Sequence, residues 1–98
     1  MKHNLENEKL TLFLEGELNS YNSEAIEEEI ENIIKDNSFN SIVLDMGALN
    51  YISSAGIRIV VRLKQNYDDT SLVNVPKSIF DIFEMVGLPN MIKIEKAK

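Results

Sequence analysis

The sequence contains no cysteine and a single histidine, His3, and those two scarcities remove most of the chemistry open to a 98-residue chain. Without cysteine there are no disulfides, no thiolate zinc sites and no thiol nucleophile. With the only imidazole in the N-terminal segment, Ser53 and Ser54 have no base with which to build a triad. Gly56 stands two residues after Ser54, but Ile52 stands two before it, so the glycine spacing fails the nucleophile-elbow pattern. No glycine-rich phosphate loop with its lysine occurs, and no carboxylate–histidine spacing resembles a metal site. Sixteen acidic residues bring carboxylates close together by chance, and such pairs carry no acid–base signal. The expectation is a chain that is not an enzyme and that holds no metal or cofactor.

Long hydrophobic runs are absent too. Nothing approaches the roughly 20 apolar residues that span a bilayer. Met1 to Glu6 lacks the apolar core of a secretion signal. A cytoplasmic location is therefore expected, with no membrane span. Basic charge is in deficit: the formal net charge is -6 and the sequence pI is about 4.7. Such a chain repels phosphate backbones, which argues against direct nucleic-acid binding and for partners with basic contact surfaces.

What is there fits one domain over residues 1–98. A chain of this length buries about 60–70% of its unfolded surface. Its 44% apolar and 27% charged content is that of a globular protein. Leu10, Leu12 and Leu14 alternate with Thr11, Phe13 and Glu15, which is strand periodicity. The residues around His3 to Glu6 are placed to pair with that strand through a turn at Asn7-Glu8. Gly16 is read as its end, with Glu17 to Ser20 leading to a helix capped by Asn22 or Ser23. From Glu24 to Lys35, Ile26, Ile30, Ile33 and Ile34 form one apolar stripe. Glutamates fill the other face, either as a solvated surface or as a docking surface, and Glu31 and Lys35 are spaced for an i,i+4 ion pair. Ser41 to Met46 reads as a strand buried on both faces, and a helix between two strands points to a βαβ crossover.

After a short Gly47-containing loop comes Tyr51-Ile52-Ser53-Ser54-Ala55-Gly56, which opens the segment Ile57 to Tyr67. That segment has both strand alternation and a helical stripe (Gly56, Val60, Leu63, Tyr67); its length without a breaker favours helix. Asp68 to Thr70 is a turn and Ser71 to Val75 a short strand. Pro76 suits a first helical position, with Asn74 or Val75 near the cap. Ile79, Phe83 and Val86 line the next helix, which Gly87, Leu88 and Pro89 stop. Met91 to Glu95 is a last strand and residues 96–98 a frayed tail. The class is α/β.

Ser53 and Ser54 stand where a helix N-cap belongs, and a helix N-terminus also favours negative charge. Capping and phosphorylation are both open roles for this pair. Four pieces of the sequence together resemble the STAS domain of bacterial anti-sigma factor antagonists. They are Leu14-Glu15-Gly16-Glu17-Leu18-Asn19, Ile42-Val43-Leu44-Asp45, Leu49 to Gly56, and Phe83-Glu84-Met85-Val86-Gly87-Leu88. The resemblance implies a mixed sheet of about four to five strands flanked by helices. It implies partner switching: the unmodified protein binds an anti-sigma factor that is also a serine kinase, which releases a sigma factor. The kinase, using ATP that this chain does not bind, then phosphorylates the antagonist, and a PP2C-type phosphatase reverses the step. By position Ser54 matches the phosphorylated serine, with Ser53 the alternative. Asn19, Ser20, Tyr51, Ser53, Ser54, Ala55, Gly56 and Arg58 are the implied partner-binding residues. The family often has acids where this chain has Asn19 and Ser53. A non-switching structural subunit of a lipid-transport or stressosome-like assembly is the alternative reading.

Overall fold

The computed structural model describes residues Met1–Lys98. The order is β1 (Lys2–Glu6), β2 (Lys9–Leu18), α1 (Ser23–Lys35), β3 (Ser41–Ile52), α2 (Ser54–Asn66), β4 (Thr70–Val75), α3 (Lys77–Met85), a 3-10 turn (Leu88–Asn90) and β5 (Lys93–Lys96). The five strands form one sheet in sequence order, with β1 antiparallel to β2 and every later pair parallel. This is the mixed α/β sheet that the sequence led us to expect.

The β1–β2 hairpin turns on Asn7 and Glu8, both at positive φ (52° and 64°), as a two-residue turn matched to strand twist requires. Gly16 does not end β2. Its φ of +72° lets the chain bulge and pair onward to Leu18, opposite Ile52. β3 likewise runs through Gly47 to Ile52 where a loop was expected, because β2 supplies pairing partners along that length.

Leu10, Leu12, Leu14, Ile42, Leu44, Met46 and Leu72 are buried on one face, against Ile30 and Ile34 of α1, Ile59, Val60 and Leu63 of α2, and Ile79 and Phe83 of α3. The expectation that β3 is covered on both faces is wrong. Thr11, Val43, Asp45, Ser71 and Val73 point to a second face and are only half-buried. Consecutive parallel strands laid down in one direction, joined by crossovers of one hand, put every helix on the same side. The protein therefore has two layers.

The ambiguous segment after Ser53 is helix. Gly56, Ile59, Val60 and Leu63 are buried on one stripe, and Tyr67 packs on Phe39 with ring centroids 5.6 Å apart. At α3, Pro76 is the N-cap rather than the first helical residue; its carbonyl accepts from the N–H groups of Ile79 and Phe80. Gly87 ends the helix at φ +76°, and Leu88 is buried behind it. Val86, expected on the buried stripe, is 58% exposed because the helix has already finished at Met85. The final strand is shifted, with Lys96 inside it and Ala97 N–H donating to Val75 O, so the tail is shorter than expected.

On the acidic face of α1, Glu27 accepts from Arg62 Nε and Nη2 of α2 at 2.8 and 2.6 Å. Those hydrogen bonds hold the guanidinium above its ordinary pKa. Glu29 accepts from the Met1 amine at 2.7 Å. Glu31 and Lys35 do not form the expected ion pair.

Candidate partner-binding face

The carboxyl ends of β2 and β3 lie side by side, and the two loops that leave them build the site. Ser53 N–H donates to Leu18 O at 2.9 Å, so the start of α2 is hydrogen-bonded to the end of β2. Ser53 then departs from the strand with φ -97° and ψ 175°, and its Oγ accepts from Gly56 N–H at 3.4 Å. Ile57 N–H donates to Ser53 O at 3.0 Å. Ser53 is the N-cap.

Ser54 is the first residue of α2 and is exposed. The division of labour follows from the chain direction. The cap residue points its side chain back over the open N–H groups, whereas the next side chain projects outward. Gly56 explains why the helix can start so close to the sheet. A Cβ there would lie 2.7 Å from Ile52 Cγ1 and 2.7 Å from Leu18 Cγ. Ala55 is half-buried, and Arg58, one turn after Ser54, is exposed and lies in none of the ion pairs.

Asn19 caps the other loop. Its Oδ1 accepts from Tyr21 N–H at 2.9 Å and Asn22 N–H at 3.1 Å. Asn22 Oδ1 accepts in return from Asn19 N–H at 2.8 Å. This is the reciprocal geometry of a capping box. Asn22, one of the two expected caps, is the N-cap of α1, and its carbonyl accepts from Ile26 N–H at 3.0 Å; its side chain makes no cap bond to the helix and instead closes the turn before it. Ser20 is exposed in this turn, and Tyr51 is half-exposed opposite Glu17. The structure thus gathers Asn19, Ser20, Tyr51, Ser53, Ser54, Ala55 and Gly56 at one end of the sheet, with Arg58 a turn below. Tyr21, which is 97% exposed, belongs with them and was not anticipated.

His3 is in β1, in the hairpin expected there, and pairs with Leu12. Leu12 lies six residues before Leu18, about 20 Å along the strand at roughly 3.3 Å per residue. That distance keeps the imidazole away from both serines. No group of three His, Asp or Glu side chains could hold a metal ion.

Residues 2–97 match the STAS domain family. The chain belongs to that family. BtrV of Bordetella bronchiseptica, assigned as an anti-sigma factor antagonist, is 32% identical over 89 residues, covering 87% of this chain and 76% of BtrV. Among solved structures, the anti-sigma factor antagonist SpoIIAA in its unphosphorylated form aligns with a TM-score of 0.73 at 22% identity, covering 95% of this chain and 87% of that one. A Thermotoga maritima protein assigned to the same role aligns with a TM-score of 0.87 at 16% identity, covering 97% and 85%. At these identities the two structures speak for the STAS fold alone. No helix of the chain is long and apolar enough to cross a membrane.

Proposed function

We propose that this STAS domain is an anti-sigma factor antagonist that works by partner switching in the cytoplasm. Unmodified, it docks the end of the sheet carrying Ser54 onto an anti-sigma factor with serine kinase activity, and so frees a sigma factor. Phosphorylation of Ser54 by that kinase, at the expense of its ATP, ends the binding, and a PP2C-type phosphatase restores it. The chain itself performs no catalysis.

The observation that carries this reading is the separation of the two serines. Ser53 is half-buried and accepts the capping hydrogen bond, whereas Ser54 is exposed on the first turn of α2. The relative BtrV supports the antagonist role. SpoIIAA, similar in fold, has a solved phosphorylated form as well, which aligns with a TM-score of 0.65.

The physics is favourable on both sides of the switch. A phosphate adds about -1.5 to -2 charges. At a helix N-terminus that charge is stabilising by roughly 0.3–1 kcal/mol, so modification leaves the domain folded. The same dianion at the centre of a packed interface must be desolvated and accommodated, which opposes docking. A loss of about 3 kcal/mol of association is more than a 100-fold loss of affinity.

The test is incubation of the full chain with a candidate cognate anti-sigma factor kinase, plus ATP, read by intact mass. The wild type gains one phosphate, and Ser54→Ala gains none while still binding the kinase. Ser54→Asp binds poorly. Equal binding by wild type and Ser54→Asp, or a phosphate that persists in Ser54→Ala, defeats the proposal. A chain that binds no kinase and instead copurifies with a transporter or a large stress-signalling assembly would favour the structural-subunit reading.

A further inference from the structure

The loop between β2 and α1 holds the most exposed large apolar side chain of the protein, Tyr21, at 97% exposure. Exposure alone is ordinary for a single side chain. What sets Tyr21 apart is its mount. Four hydrogen bonds between side chain and backbone close the turn: Asn19 Oδ1 to the N–H groups of Tyr21 and Asn22, Asn22 Oδ1 to Asn19 N–H, and Asn22 Nδ2 to Glu17 O. The ring therefore projects from a fixed backbone. Only two side-chain torsions remain to be ordered when it docks.

Its place in the fold matters as much. The turn follows Leu18, whose carbonyl accepts from Ser53 N–H, so Tyr21 and Ser54 sit on adjoining loops. Tyr51, 48% exposed, is at the same end of the sheet. The other strongly exposed apolar side chains, Met85 and Val86, close α3 at the opposite end, where the chain returns to enter β5.

The two uncharged oxygens that flank Ser54 are already engaged. Asn19 Oδ1 and Ser53 Oγ accept from the chain's own backbone. They present no charge and no free acceptor of the kind a basic partner would read. The charged groups nearby are Glu17, which accepts from Asn19 Nδ2 at 3.2 Å, and Arg58, a turn below; the exposed apolar surface on this face is aromatic.

We propose that Tyr21, flanked by Tyr51, is the apolar anchor by which the kinase partner recognises this chain, seated in an apolar cleft beside the kinase's substrate-serine site. The inference rests on the partner-switching reading. Tyrosine is among the residues that dominate interface energetics, and a pre-set loop lets the burial of its ring count toward affinity.

The test is calorimetric titration of the kinase, loaded with a non-hydrolysable ATP analogue, with the full chain and its variants. Tyr21→Ser is expected to weaken binding by about 30-fold or more, equivalent to roughly 2 kcal/mol. Its melting temperature should match the wild type, because a ring this exposed contributes no core packing. Tyr21→Phe, which keeps the apolar ring, is expected within about threefold of wild type. Tyr21→Ser binding like wild type overturns the inference, as does Tyr21→Phe weakening as far as Tyr21→Ser. Failure of the wild-type chain itself to bind overturns the partner-switching reading and this inference with it.

Discussion

Gly56 and Ser53 carry more of the structural burden at the site than the serine proposed to carry the signal. Adding a methyl group at Gly56 forces it to within 2.7 Å of Ile52 Cγ1 and Leu18 Cγ, neither of which is the free end of a side chain. Overpacking of this kind costs about 1–3 kcal/mol, and the better helix propensity of alanine returns no more than about 1. Gly56→Ala is expected to be destabilised by about 1–2 kcal/mol in urea denaturation, and wild-type stability would contradict the close-approach argument. Ser53→Ala loses the cap. Its hydrogen bond is long at 3.4 Å, so the loss is placed at about 0.5–1 kcal/mol. Ser54→Ala, which removes an exposed hydroxyl, should stay within about 0.5 kcal/mol of wild type. If the two serine variants changed places in this ranking, the assignment of Ser53 as cap would fall. The neighbours at 19 and 53 were legible as departures from the family's acids. That both use their oxygens internally was not, because it depends on which backbone N–H groups the folded loops bring within reach.

At the scale of elements, helices were read well and strand ends poorly. The isoleucine stripe of α1 and the Gly87 stop of α3 are local patterns, and local patterns survive folding. Strand ends are set by pairing partners, which no single stretch of sequence contains. Gly16 reads as a terminator in isolation, yet β3 stands alongside and carries β2 two residues further. Val86 completes a helical stripe on paper, but the αL residue after it ends the helix first. The grouping of the candidate partner-binding residues was legible only through the order of motifs along the chain. Tyr21 was missed because nothing in composition or periodicity marks a residue whose importance is its exposure. The bulge reading of Gly16 is open to test. An alanine held at φ +72° bears about 1–2 kcal/mol of strain, partly offset by the lower entropy of its unfolded chain. Gly16→Ala should therefore lose about 1 kcal/mol in denaturation, although no atom lies within 4 Å of the added methyl. A stabilised Gly16→Ala would mean the strand needs no left-handed residue there.

Over the whole molecule, the arrangement of strands in sequence order decides what each face of the sheet is free to do. All three helices cover one face, and Leu44 at the centre of that face is fully buried. The opposite face keeps Thr11, Val43, Asp45 and Ser71 half-exposed, with Asp45 taking hydrogen bonds from Gly47 N–H and Asn74 Nδ2 at 2.9 Å each. Adjacent residues of one strand should then respond oppositely to the same truncation. Leu44→Ala opens a cavity between sheet and helices and is expected to lose about 2–5 kcal/mol, enough to leave a domain of this size marginal. Val43→Ala removes two methyl groups from a surface already half in water and should lose no more than about 1 kcal/mol. A sheet covered on both faces, as the apolar run from Ile42 to Leu44 first implies, would make the two losses comparable. Denaturation of both variants separates these cases. The separation bears on function, because the recognition face proposed around Ser54 and Tyr21 lies at the end of the sheet and needs only the helical layer beneath it to stay packed.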